Sequence, residues 1–199
     1  MKTGYIFDFD GVLVNTMEAH FACNELALAE EGIPIDKAQF LYQAGMTGRE
    51  QIASFVAKAG KQVDIEKIYS RKRELYENFI DKITLIECNY NLLKTLREDG
   101  YPVAIASGSS PISFYPVLKR FGISADSMVT SADVQRGKPN PDLFLLAAER
   151  LGIPPEDCIV IEDADVGIEA AKRAGMRSMR FYNLSPEACA TSMERMSQP

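Results

Sequence analysis

Between Cys88 and Phe181 short apolar runs alternate with amphipathic stretches, and that rhythm constrains the fold more than any other feature of the chain. Val103-Ala104-Ile105-Ala106 and Cys158-Ile159-Val160-Ile161 carry no charged side chain, the pattern of strands buried on both faces of a parallel sheet. Shorter strands are expected at 127–131 and 177–181, and helices at 90–98, 112–121, 141–151 and 166–174. Proline near the first turn suits the third of these helices and Gly175 stops the fourth, whereas Pro116 marks a point where the second would kink. Strand and helix in alternation predict an α/β core: a doubly wound, Rossmann-like parallel sheet with helices on both faces.

Gly4-Tyr5-Ile6-Phe7 supplies one more strand, and after it the alternation is interrupted. From about Thr16 to about Lys82 the signals are helical throughout. Met17, Phe21, Leu26 and Leu28 recur at near-helical intervals until Gly32-Ile33-Pro34 stops them. Further helices are expected at 49–59 and 64–80, separated by Gly45 and Gly60. The expectation is an all-helical cap of residues 15–82 inserted into a core made of 1–14 and 83–199. The composition, 46% hydrophobic and 25% charged in 199 residues, suits one core plus a small insert. Residues after Ser185 are expected to be weakly structured or to form a short surface helix.

The expected strand ends carry the chemistry. Asp8 ends the first strand and Asp10 lies two positions on, so both side chains share a face. Like charges that close need a cation or a proton between them. The second strand ends at Ser107, followed by Gly108-Ser109-Ser110; the third leads to Gly137-Lys138-Pro139-Asn140-Pro141; the fourth ends at Glu162-Asp163. Right-handed crossovers bring such ends to one edge of the sheet, where open α/β sheets bind ligands.

Ser107, with the amides of Gly108 and Ser109, can form an anion nest near a helix start, although a serine there also reads as a helix cap. Lys138 supplies positive charge. Asp8 and Asp163 can ligate a metal, with Glu162 acting through water or orienting its shell. A phosphoryl group beside Mg2+ fits this set, with a carboxylate nucleophile and Asp10 trading protons at the leaving oxygen.

Several classes are set aside. The net charge of -6 leaves no general excess of positive charge for nucleic acid. No apolar run approaches the roughly 18 residues of a membrane span, and the amino terminus lacks a secretory pattern, so a cytoplasmic setting is expected. Cys23, Cys88, Cys158 and Cys189 have no paired spacing, which indicates neither a zinc knuckle nor a disulfide framework. With His20 the only histidine, the metal chemistry is expected to be oxygen-ligated.

Four short motifs in order, Asp8-Phe9-Asp10-Gly11-Val12, Ser107, Lys138-Pro139 and Glu162-Asp163, resemble those of the haloacid dehalogenase superfamily. The chain is similar to its branch with a helical cap after the first strand, the beta-phosphoglucomutase-like phosphatases and mutases. The resemblance implies that Asp8 is the nucleophile and that Asp10 is an acid/base whose carbonyl also meets the metal. It implies that Ser107 and Lys138 bind the phosphoryl group and that Asp163 completes the Mg2+ shell. Dehalogenases of the superfamily lack the second aspartate, so Asp10 points to phosphate chemistry.

In the cap, the resemblance implies that His20 reaches the site on closure. Arg49, after Gly45-Met46-Thr47-Gly48, is expected to touch substrate, as is Lys72 within Arg71-Lys72-Arg73. Each of these also reads as a structural or solvated residue. The expected function is Mg2+-dependent hydrolysis of a small phosphorylated metabolite such as a sugar phosphate, by a monomer or weak oligomer. The alternative is a phosphosugar mutase, from whose pattern Met46-Thr47 departs. A receiver-type phospho-acceptor module is a further alternative, opposed by the helical insert and by Asp10.

Overall fold

A computed structural model of the chain describes residues 2–44 and 46–181. β1 (Gly4–Phe7) and the two-residue β2 (Val14–Asn15) lead into four helices: α1 (Met17–Ala29), α2 (Lys37–Tyr42), α3 (Gly48–Lys58) and α4 (Ile65–Tyr76). A 3-10 segment, Glu77–Lys82, then leads to β3 (Thr84–Leu85) and α5 (Glu87–Glu98). The remainder alternates β4 (Val103–Ala106), α6 (Pro111–Phe121), β5 (Ser127–Val129), α7 (Asp142–Leu151), β6 (Cys158–Glu162), α8 (Asp165–Arg173) and β7 (Arg177–Arg180).

Five of the strands form one parallel sheet in the order β5-β4-β1-β6-β7. Successive side chains point to opposite faces. Phe7, Ile105 and Ile161 enter one apolar cluster with Leu92, Leu93 and Leu96 of α5 and Phe114, Val117 and Leu118 of α6. Ile6, Ala104, Ala106 and Val160 enter another with Leu143 and Phe144 of α7 and Ala170 of α8. Each fully buried Leu or Phe contributes roughly 1.5–3 kcal/mol of transfer free energy, which holds helices on both faces.

The helices between β2 and β3 have an apolar cluster of their own, built from Leu28, Ile33, Phe40, Ile52, Phe55, Ile68 and Tyr69. The two chain crossings into this segment lie side by side. Val14 pairs with Leu85 and Asn15 with Thr84 in an antiparallel ribbon. The buried Asn89 side chain fastens that region by donating to the Val12 carbonyl at 2.7 Å.

Several boundaries differ from the sequence expectation. α2 was not anticipated, because its six residues bury only Phe40 and so leave no period to read. The β2–β3 ribbon depends on pairing between distant residues, which local pattern does not record. The helix expected over 64–80 tightens into 3-10 geometry after Tyr76. The strand expected at 127–131 ends at Val129, and α5 begins at Glu87 rather than at 90. Cys23 and Cys158 are free and buried. The tail beyond Ser185 lies outside the described residues. Among the described residues no helix is long and apolar enough to cross a membrane.

Candidate active site

The chain runs outward from β1 through β4 to β5, then returns to place β6 and β7 on the other side of β1. Open α/β sheets bind ligands in the crevice at such a reversal. Phe7 is paired with Ile105 and with Ile161, so Asp8 is level with the end of β4 and with Glu162 of β6. The Asp8 amide continues the ladder to the Ile161 carbonyl at 2.9 Å.

Lys138, fully buried, reaches this edge and bridges Asp8 Oδ1 and Glu162 Oε1 at 2.7 Å each. A lysine is seldom so buried unless paired. The Phe144 ring lies 4.9 Å from its ammonium. Glu162 Oε2 accepts the Ala164 amide at 2.7 Å, so each of its oxygens already has a donor.

Asp163 joins the group: ligand atoms of Asp8, Glu162 and Asp163 lie within 4.8 Å of one another. Burial, then Glu162, pushes the Asp163 carboxyl up to about 7. Burial raises Asp8 well above the usual carboxylate range, with Lys138 opposing. Gly11 makes the approach possible. It adopts φ +90, and a Cβ there would sit 3.1 Å from Asp163 Cγ.

Asp10 sits in a ring of donors. Its Oδ1 accepts the Thr16 hydroxyl at 2.6 Å and lies 3.1 Å from His20 Nε2; its Oδ2 accepts Ser107 and Ser109 hydroxyls at 2.8 Å each. Burial alone would raise its carboxyl, but hydrogen bonds from His20, Thr16 and Ser107 outweigh burial and hold it well below the ordinary value. His20 is itself pushed down by burial, with Asp10 opposing. Its ring stacks on Tyr76 at 4.7 Å, and Nδ1 has no hydrogen-bond partner. Ser107 caps no helix; Ser110 occupies the N-cap of α6. Of the expected nest, the Ser109 amide is already engaged with Ser107 Oγ at 2.9 Å.

Asp8 and Asp10 open into a cavity of about 40 Å³, enough for a few water molecules. Gly108, Ser109 and Ser110 line it from the core; His20, Gln51, Tyr69, Lys72 and Arg73 line it from the helices. Lys72 is buried, and loss of hydration lowers its ammonium to about 8.

Arg49 is not among the residues that line the cavity. Its guanidinium stacks on the Tyr69 ring at 4.4 Å and binds Glu66 at 2.7 and 3.1 Å, with both side chains exposed. Arg49→Ala is therefore expected to change kcat/KM by less than about threefold and stability by under about 1 kcal/mol. Steady-state kinetics with a loss above about tenfold would return Arg49 to the site.

Tyr69, Gln51, Thr16 and the Ser109 hydroxyl were not among the residues expected from sequence, and Arg73 stood only as a member of the basic run around Lys72. A signal existed on α4: positions 69, 72, 73 and 76 fall on one helical face, so an inward Lys72 brings Tyr69, Arg73 and Tyr76 with it.

Comparison with known proteins gives the family and the fold. The family model described as haloacid dehalogenase-like hydrolase matches residues 5–181. Beta-phosphoglucomutase of Bacillus subtilis (strain 168) is 34% identical over 181 residues, covering 86% of this chain and 79% of that protein. Hexitol phosphatase A of Escherichia coli (strain K12) is 34% identical over 177 residues, with 86% and 79% covered. The crystal structure of a hydrolase from Pseudomonas syringae superposes with a TM-score of 0.85 at 27% identity, covering 96% of this chain and 90% of that one.

Proposed function

The chain belongs to the haloacid dehalogenase-like hydrolases, and from that premise we propose a Mg2+-dependent phosphatase that carries the phosphoryl group of a small metabolite, such as a sugar phosphate, on Asp8. The observation that carries this reading is Asp8 itself, held at 2.7 Å by a fully buried lysine and opening into the same cavity as Asp10. The names of similar proteins support the substrate class, since they include a hexitol phosphatase and a fructose-1-phosphate phosphatase.

The residues fit a hard divalent cation. Three carboxylates cluster here, two of them sharing one ammonium, and their oxygens are the donors that Mg2+ prefers. Asp8, Asp163 and the Asp10 carbonyl would hold it, with Glu162 orienting the shell. When bound, Mg2+ neutralises charge on the phosphoryl oxygens and orients the group for attack.

Asp8 attacks phosphorus; the bond to the leaving oxygen breaks, and Asp10 delivers a proton there. A water molecule then attacks phosphorus, Asp10 takes its proton, and phosphate leaves with Asp8 restored. After Asp10 has given up its proton, Thr16 and His20 remain beside it and favour the ionised form that the second step needs. An arriving phosphoryl oxygen competes for the Ser107 and Ser109 hydroxyls, and losing those donors raises the proton affinity of Asp10 for the first step. Lys138 and Ser107 hold the transferring oxygens.

Residues 15–82 act as a cap that opens to admit substrate and excludes bulk water when closed, because the cavity holds little more than water. Lys72 and Arg73 face the cavity, and Lys72 must be an ammonium to attract an anion. As pH rises through about 8 that charge is lost, so kcat/KM is expected to fall there. Lys72→Met should remove this alkaline limb and lower kcat/KM by about tenfold at neutral pH. A limb unchanged in the variant would assign the fall to another group.

Repeated release of phosphate from p-nitrophenyl phosphate in Mg2+, abolished by chelation, tests the reading. Absence of turnover on that ester and on a panel of phosphorylated metabolites would overturn it. The position of His20 against Asp10, together with the similarity to a beta-phosphoglucomutase, supports a mutase as the second reading. Beta-glucose 1-phosphate with a trace of bisphosphate separates them: glucose 6-phosphate identifies a mutase, free phosphate a phosphatase.

A further inference from the structure

Gly137 precedes the lysine that bridges Asp8 and Glu162, and the reason it is a glycine lies in the helical segment. Its φ is not among the left-handed values found at other glycines, so the backbone there would accept any residue. Space would not. The nearest atoms to a Cβ at that position are Glu50 Oε2, Thr47 Cγ2 at 2.6 Å and the Thr47 amide nitrogen at 3.0 Å. All belong to the start of α3.

That start is a capping box: Glu50 Oε2 accepts the Thr47 amide at 3.0 Å and the Thr47 hydroxyl at 2.6 Å. Glu50 Oε1 then accepts the Gly137 amide at 3.2 Å. The Gly137 carbonyl is fixed from the other side by the Asn140 amide at 2.9 Å and the Asn140 side chain at 3.0 Å. The peptide groups leading into Lys138 are thus gripped by the helices on one side and the core on the other.

We propose that Glu50 is a positioning residue, docking the capping box of α3 on the Gly137 amide so that closure over the cavity also seats Lys138 between Asp8 and Glu162. This rests on the phosphatase reading, in which Lys138 holds the transferring oxygens. Glu50 touches no reacting atom; it acts through one amide and the loop behind it. Both carboxylate oxygens accept donors, Oε1 from Gly137 and Oε2 from Thr47, so glutamine, with one acceptor oxygen, should replace it only in part.

The test is a double-mutant cycle of Glu50→Ala and Gly137→Ala with p-nitrophenyl phosphate and Mg2+, beside Glu50→Gln. Each alanine variant is expected to lower kcat/KM by about tenfold, because each removes the same docking. The double variant should be no worse than the poorer single within about twofold, and Glu50→Gln, which keeps one of the two acceptor oxygens, should fall between wild type and Glu50→Ala. Hydrogen exchange reads the contact itself: the Gly137 amide, protected in the wild type, should exchange faster in Glu50→Ala while the sheet amides do not change.

Additive losses would show that the two residues act separately, and unchanged kinetics or unchanged Gly137 exchange would also overturn the proposal. Wild-type protein that releases no phosphate would instead bring down the functional reading beneath it.

Discussion

Asp8→Asn is expected to lower steady-state phosphate release by about four orders of magnitude or more, measured with p-nitrophenyl phosphate at saturating Mg2+. The amide nearly matches the carboxylate in shape but cannot take up the phosphoryl group. Lys138 keeps Glu162 as a partner at 2.7 Å, so the fold should survive. Burial, and then neighbouring Glu162, Asp10 and Asp163, raise the Asp8 carboxyl, with Lys138 opposing. A raised carboxyl costs stability as pH climbs from its unfolded value through its folded one, because the folded state holds more protons there. Without metal, Asp8→Asn should therefore melt at or above the wild-type temperature at neutral pH. Turnover retained within about tenfold would defeat the nucleophile assignment, whatever the melting behaviour.

Lys138→Met is expected to be damaging in a different way, to fold and chemistry together. It leaves the Asp8 and Glu162 carboxylates buried without their cation, which in other proteins costs about 3–5 kcal/mol. The sign with pH is specific. The two carboxylates raise the Lys138 ammonium above its usual value against the opposing effect of burial, so its stabilisation is present through neutral pH and lost only as pH rises through the folded value. In the variant the penalty lies with the carboxylates, so stability should recover as acid protonates them, and partly when Mg2+ is added. Thermal melts between mildly acidic and neutral pH, with and without Mg2+, measure this. A variant as stable as wild type at neutral pH would contradict the burial argument.

These expectations draw on features that differ in how far sequence alone reveals them. β1, β4 and β6 were legible because an unbroken apolar run has few alternatives to a buried parallel strand. Asp8, Ser107 and Glu162 were legible because such strands must end at one edge. The direction in which a helix turns its polar residues was not. Arg49 and Lys72 read alike in the chain, yet Arg49 pairs with Glu66 at the surface and Lys72 is buried. That choice is made by the packing of α4 on α1 and α3, which no local period records.

The capping box at Thr47 and Glu50 shows the same limit. Its spacing is visible in the sequence, whereas its docking on Gly137 is a tertiary event between residues 87 positions apart. Asp10 stood out as an acid, but the hydroxyls that hold it ionised come from Thr16, Ser107 and Ser109, brought together only by the fold.

The claim that Asp8 carries the phosphoryl group is tested most directly by stopping turnover in acid within milliseconds and mapping bound phosphate by peptide mass spectrometry. An acid-stable, base-labile phosphate on the peptide containing Asp8, missing from Asp8→Asn, is the predicted result. Phosphate released at full rate with no labelled peptide at any quench time, or label on another side chain, would contradict it.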